Sequence, residues 1–422
     1  MISRIEAFNY RCFDRLNIKL GQYHVFAGAN GTGKSTLLDI PLFLGEILSQ
    51  GLVPAFLESP SIGGSPRAQN LQELLHYGRG NYFGFAIEAD LPEEIIIKLL
   101  EDAPPTVVKD RNRQPRSIRY EIRFQIFNNI ELHVTDEFLY IVPQKVSEPR
   151  EGWGIGGKRP RYWQQIIERE SGSPTVLKQE DRSGTKINLR LEPQELALAN
   201  FPRDLDKFSA SIWFRNLLEK GVMRYEPSWS MLRRACPPGQ PKTLRPDGAN
   251  LPWLVMNLQQ EQPDLFESWV EHIKMALPNV VAIEAIQREE DYHAYLKLTY
   301  WGDHVVTSSG LSYGTLHILA LTILPYLPQP HSLIFLEEPE NGIHPRAIEV
   351  VLQSLSSVYD SQVWASTHSP VVLAYTELES VIVMRGSKDH GAEAIPGNKH
   401  PLLQNWQGSI DLGSLFAAGV LG

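Results

Sequence analysis

The most constraining feature of this chain is the run Gly28-Ala29-Asn30-Gly31-Thr32-Gly33-Lys34-Ser35, which fits the phosphate-binding pattern G-x-x-x-x-G-K-[ST]. Before it stands an apolar run, Tyr23 to Ala27, that reads as a buried strand. After it, Lys34 to Leu48 carries Leu37, Leu38, Leu42, Leu44 and Ile47 at largely helical spacing, with Pro41 as a point where the helix can kink. Strand, glycine loop and helix in that order wrap backbone N–H groups around phosphates and aim the positive end of a helix at them. Lys34 is expected to reach the β- and γ-phosphates, and the Ser35 hydroxyl to bind Mg²⁺. ATP and Mg²⁺ are therefore the expected cofactors.

A buried parallel strand delivers its C-terminal residues to the edge of an open α/β sheet where ligands bind. Leu333-Ile334-Phe335-Leu336 is such a strand and ends in Glu337-Glu338. Glu337 is expected in the Mg²⁺ shell, and Glu338 is expected to polarise the attacking water. Val363 to Ser366 is another apolar strand, ending in Thr367-His368, which places His368 on the same edge, within reach of a γ-phosphate. Leu311-Ser312-Tyr313-Gly314-Thr315 opens a helix with Ser312 as its N-cap, a second arrangement of hydroxyl, glycine and helix N–H groups suited to phosphate.

The rest of the 422 residues, 42% hydrophobic and 21% charged, is globular in composition and allows two to three domains or one core with a long insertion. Ile2 to Phe8 alternates as a strand, and from Tyr82 to about Leu191 the period is two, as in Ile118 to Ile126. That region predicts an antiparallel sheet. From about Asp204 to Leu277 the pattern is helical, followed by strands Val280 to Ile286 and Ala294 to Tyr300. Helix Tyr313 to Leu324, strand Ser332 to Leu336, helix Pro345 to Val358, strand Gln362 to Ser366 and strand Val381 to Met384 complete a parallel α/β arrangement. The expected fold is α/β, a P-loop core with an antiparallel β-rich region and an inserted helical lobe, without a coiled coil. Residues 1–200 and 311–422 would form the nucleotide lobe, with the β-rich insertion at about 82–191, and residues 201–310 the helical lobe. The apolar close from Trp406 to Gly422 reads either as a packed terminal helix or as a docking peptide.

No run of 18 apolar residues is present and the start MISRIEAFNYRCF is unlike a signal peptide, so a cytoplasmic chain without a membrane segment is expected. Cys12 and Cys236 are too few for a disulfide framework. The net charge of −9 is uneven: residues 90–250 hold 26 Lys+Arg against 23 Asp+Glu, and the remainder 14 against 26. Within the middle part, Arg113, Arg116 and Arg119 lie in one basic stretch, and Lys158, Arg159 and Arg161 sit beside Tyr162 and Trp163. Such a mixture holds phosphates and stacks bases, or forms a solvated strand and loop face.

The order of motifs, from NYRCF and GANGTGKSTLLD through LRPDGANLPWLVMNL and LSYGTLHILAL to IFLEEPENGIHP and WASTHSP, resembles the ABC-type ATPases of the SMC and RecF branch over nearly the whole chain. The nearest likeness is to compact members, without coiled coils, that serve bacterial anti-phage and toxin-type systems. The resemblance implies a homodimer enclosing two ATP molecules. Each ATP would lie between Asn30, Gly31, Gly33, Lys34, Ser35 and Thr36 of one chain and the signature residues Ser312 and Gly314 of the other. Arg11 matches the branch's first-strand arginine near the nucleotide, and Asn341 and Gly342 its dimer-crossing loop. The glutamine that joins Mg²⁺ to the helical lobe has no clear counterpart; Asn200 is the candidate. Glu337 replaces the usual aspartate and keeps a carboxylate.

The 54 residues after His368 are fewer than an appended nuclease domain needs, and no His-Asn-His cluster is visible, so cutting of nucleic acid is not expected. Two functions follow as expectations: an ATP-driven sensor or scaffold for a separately encoded effector, or a RecF-like repair clamp whose basic middle contacts DNA.

Overall fold

Continuous apolar runs and alternating runs separate the two kinds of sheet in this chain, because a strand covered on both faces needs apolar side chains on both. The computed structural model describes residues 1–57, 66–144, 160, 162–328, 331–387, 391–403, 406 and 410–421. They divide into two compact units, one of Met1–Gly21, Gly31–Val222 and Arg385–Ala394, the other of Gln22–Asn30, Met223–Met384 and Ile395–Gly422.

In the first unit, eight strands pair antiparallel in the spatial order Phe13–Lys19, Ile2–Tyr10, Tyr82–Asp90, Pro115–Phe127, Glu131–Pro143, Gln164–Arg169, Thr175–Lys178 and Lys186–Leu189. The strand Phe13–Lys19 is an addition to the sequence reading; Leu16 and Ile18 are buried against the exposed Arg15, Asn17 and Lys19, and Asp14 on the buried face breaks the alternation at its start. Tyr10, Phe43, Phe83 and Phe85 are all fully buried, and the Tyr10 and Phe85 rings meet edge-on at 4.7 Å. Burying each such side chain stabilises the unit by about 1.5–3 kcal/mol.

Helix Lys34–Gln50 continues through Pro41 and packs on helix Ser209–Lys220. Gly45 makes this possible, since a Cβ there would strike the Leu218 carbonyl. Helix Ser209–Lys220 therefore belongs with the first unit rather than with a lobe spanning 201–310. Its N-terminus is held by the buried Glu180 carboxylate, which accepts from the N–H groups of Ala210 (2.9 Å) and Ser211 (2.8 Å).

In the second unit, Leu333–Glu337, Gln362–Thr367, Tyr23–Ala27 and the start of Val381–Ser387 run parallel in that order. A separate antiparallel sheet contains Val280–Gln287, Ala294–Tyr300 and His304–Thr307. Helices Leu251–Glu261, Pro263–Ala276, Tyr313–Thr322 and Pro345–Ser356 contribute to one apolar core with the parallel strands, including the fully buried Trp269, Leu316, Leu336 and Leu355. At the C-terminal end, helix Leu412–Ala417 packs on helix Pro370–Ala374: Leu412 is buried, and a Cβ at Gly413 would strike the Pro370 carbonyl. The packed-helix alternative is the one adopted. Among the described residues no helix is long and apolar enough to cross a membrane, and the longest is the 17-residue Lys34–Gln50.

Candidate nucleotide site

Register fixes what the parallel strands deliver. Glu337 pairs with Ser366, and Thr367 pairs with Ala27, so three neighbouring strands end within one residue of one another. Gly28, Glu338 and His368, the next residues along each, leave from one sheet edge. The Glu338 N–H donates to the Ser366 carbonyl at 2.9 Å, and Glu338 takes a left-handed backbone, φ 48°, that turns the chain off the strand.

The Glu338 carboxylate is held at both oxygens. His368 Nδ1 donates to Oε1 at 2.8 Å and Asn341 Nδ2 donates to Oε2 at 2.8 Å. Glu337 is the last residue of its strand, and its Oε2 accepts from Arg224 Nη2 at 3.0 Å. Two participants in this edge lay outside the sequence reading. Arg224 follows the short apolar run Val222-Met223 with no motif around it. Glu340 sits between Pro339 and Asn341, accepts from Thr367 Oγ1 at 2.5 Å, and has its carboxyl pKa pushed up by burial.

Ser312 caps helix Tyr313–Thr322 as expected, its Oγ accepting from the Thr315 N–H at 3.2 Å. Gly314 lies against the turn holding Asn341 and Gly342 of the same chain: a Cβ at Gly314 would come within 2.5 Å of the Gly342 carbonyl oxygen. Gly342 is left-handed, φ 73°, and carries the Tyr313 ring against its α-carbon. One turn on, His317 donates through Nδ1 to the Asn341 carbonyl at 3.1 Å, and burial lowers its pKa. The sequence pattern gave no signal for His317 beyond its place on the helix that Ser312 caps.

The phosphate loop has the backbone its glycines allow. Gly31 (φ 81°) and Gly33 (φ 91°) are both left-handed, and nothing lies within 4 Å of a Cβ built at Gly31. At Gly33 a Cβ would meet the Cys12 sulfur at 2.6 Å, so close packing as well as conformation requires glycine. Helix Lys34–Gln50 starts at Lys34, which is buried, and its N-cap Gly33 offers no side chain to the first N–H groups. Those donors are suited to an anion. Ser35 and Thr36 occupy the first turn. Arg11, also left-handed, donates its guanidinium to the Arg67 carbonyl, and Arg67 in turn binds Asp39 at 2.8 Å.

Asn200 is exposed, and its amide donates to the Leu196 carbonyl at 2.9 Å. The preceding residues are tied down by the buried Glu137, which accepts from the N–H groups of Ala197 and Leu198 at 2.6 and 2.8 Å.

Arg119 is a correction: it is no nucleic-acid contact. It is fully buried and donates to Glu121 at 2.5 Å, Glu88 at 2.6 Å and Glu6 at 2.8 Å. Burial works against its charge, but the carboxylates of Glu6, Glu121 and Glu88 outweigh it and raise the guanidinium pKa. Arg113 and Arg116 are exposed, with Asp110 3.3 Å from the first and Asp90 3.9 Å from the second. Lys158, Arg159 and Arg161 lie outside the described residues. No group of three or more potential metal ligands of the His, Cys, Asp and Glu type occurs among the described residues.

Comparison with known proteins places this geometry in a family. Residues 24–374 match the family profile described as "AAA domain, putative AbiEii toxin, Type IV TA system". No curated protein matches the sequence. Solved structures similar to the chain include an Smc head bound to the C-winged helix domain of ScpA, with 13% identity and a TM-score of 0.49, covering 93% of this chain and 96% of that one. A second is an Smc head domain with an extended coiled coil bound to the C-terminal domain of ScpA derived from Pyrococcus furiosus, with 12% identity and a TM-score of 0.47, covering 100% and 98%. A third is an SMC head domain from Thermotoga maritima, with 11% identity and a TM-score of 0.42, covering 94% and 98%. The family profile spans most of the residues and the motifs from the glycine loop to Thr367-His368, though not Arg11, and this chain belongs to that AAA family.

Proposed function

We propose that the chain binds and hydrolyses ATP as a homodimer enclosing two nucleotides, and that it acts as a sensor or scaffold for a separately encoded effector in a defence system. The observation that carries this reading is the ending of three parallel strands within one residue of one another, which brings the start of the phosphate loop, Glu338 and His368 to one edge with the Glu338 carboxylate already oriented.

In this reading Lys34 and the loop N–H groups bind the phosphates, Glu338 accepts the proton of the attacking water, and His368 fixes the direction in which that carboxylate points. Mg²⁺, when bound, neutralises charge on the phosphate oxygens. Ser35 and Glu337 would hold it, with Asn200 as a further candidate; their hydroxyl, carboxylate and amide oxygens are the hard donors this ion takes. Ser312 and Gly314 address the partner chain's nucleotide, and Asn341 and Gly342 cross between the chains. The effector role is supported by the family's toxin–antitoxin description. The DNA-clamp reading is weakened by the loss of Arg119 to an internal ion network.

The test is purification of Glu338→Gln from its native host with ATP present. A stoichiometric second protein, released from the wild type as ATP turns over, supports the effector reading. Nuclease-sensitive DNA without a second protein moves the reading to the clamp.

A further inference from the structure

The first unit contains a cavity of about 830 Å³ remote in sequence from the phosphate loop. Its wall comes from the segment 104–113, the end of strand Glu131–Pro143, the start of strand Gln164–Arg169 and the turn holding Arg182. Small-molecule sites run to roughly 300–1,000 Å³, so a mononucleotide fits with room for solvent.

The lining has a specific chemistry. Trp163 is buried and fixed edge-on to Tyr140 at 5.8 Å, while the neighbouring Tyr162 is 49% exposed. Two guanidinium groups line the same cavity as these rings. Arg113 is tethered to Asp110 at 3.3 Å, and Arg182 Nε donates to the side-chain oxygen of Gln164 at 3.0 Å. Among the described residues no carboxylate forms an ion pair with Arg182. Desolvation by the surrounding protein lowers its pKa, the mark of a cation whose charge the site leaves underbalanced. Asn112 and Gln164 add amides that read hydrogen-bonding edges.

We propose that this cavity is a second nucleotide-recognition site, in which the Tyr162 and Trp163 rings take a base and Arg182, with Arg113, takes its phosphate. Aromatic faces beside arginines match the two halves of a nucleotide, whereas an acidic peptide would use only the arginines. The ligand is a nucleoside monophosphate unit, supplied either as a free nucleotide or as the 5′-phosphorylated end of a single strand. This inference is independent of the ATPase reading, since none of these residues lies in the phosphate loop or at the Glu338 edge.

The test uses the full chain carrying Lys34→Ala, so that the phosphate loop is silent, titrated calorimetrically with AMP, with TMP and with a short 5′-phosphorylated oligothymidylate. Binding of at least one probe is expected, weakened about tenfold or more by Arg182→Ala and by Tyr162→Ala, two exposed positions whose truncation leaves the core intact. Tighter binding of a mononucleotide assigns a free nucleotide as the source; tighter binding of the oligomer assigns a strand end. Absence of binding at millimolar probe, or binding that neither substitution changes while thermal melting shows both variants folded, overturns the proposal.

Discussion

His368 Nδ1 and Glu338 Oε1 are 2.8 Å apart, a contact between residues 30 positions distant that exists because their strands end side by side. A carboxylate held this way cannot rotate without breaking two hydrogen bonds, which suits the proposed base. Glu338→Gln keeps the size of the side chain and removes its proton affinity. ATP binding is expected to persist while hydrolysis falls by at least about two orders of magnitude. Steady-state phosphate release with a nucleotide-binding control checks it, and unchanged turnover removes Glu338 as the base.

Ser312→Arg places a long cation at the cap of helix Tyr313–Thr322, where the partner's nucleotide is proposed to dock. Each chain is expected to bind ATP but to remain a monomer in light scattering with a Glu338→Gln background. A dimer of unchanged stability counts against the enclosed-nucleotide arrangement.

Arg119→Ala removes the guanidinium that Glu6, Glu88 and Glu121 share and leaves Arg4 as the cation beside Glu6 and Glu88. Breaking a buried ion network in this way costs about 3–5 kcal/mol. Urea denaturation is expected to show a loss of that size, while Arg116→Ala, at an exposed position, shifts the midpoint little. Charge-reversal tests of DNA binding should therefore use Arg113 and Arg116 and leave Arg119 intact.

His317 is buried with its pKa lowered, so the unfolded chain takes up a proton at a higher pH than the folded chain does. Its contribution to stability is complete above the ordinary histidine value of 6.5 and is lost as pH falls below it toward the folded-state value. The slope from this one group is at most about 1.4 kcal/mol per pH unit. Comparing urea midpoints at pH 7.5 and 5.5, the wild type is expected to lose more stability than His317→Gln. Equal losses would show that His317 is not the group being titrated.

Local patterns made the phosphate loop, the Glu-Glu strand end and the Ser312 cap legible, because each is written in consecutive residues. What escaped notice depends on neighbours in space. Arg119 alternates with apolar residues exactly as a solvent-facing side chain does, yet its ladder partner is Glu88, and Arg4 pairs with that same Glu88 from the next strand. Counter-ions supplied by adjoining strands allow a charged face to be buried, and period-two spacing alone carries no trace of them. Glu340 and Arg224 were missed for the same reason: their partners, Thr367 and Glu337, are 27 and 113 residues away.

The chain passes between its two units five times, after Gly21, Asn30, Val222, Met384 and Ala394, and one of these crossings falls inside the phosphate loop. Neither unit is a continuous stretch of polypeptide, so no single cut can release one of them whole. During synthesis the first unit lacks a part until Ala394 has been added, which at about 5–20 residues per second is about 18 to 72 s after Lys34. The glycine loop, divided between the units after Asn30, is thus made long before the last segment of the first unit exists.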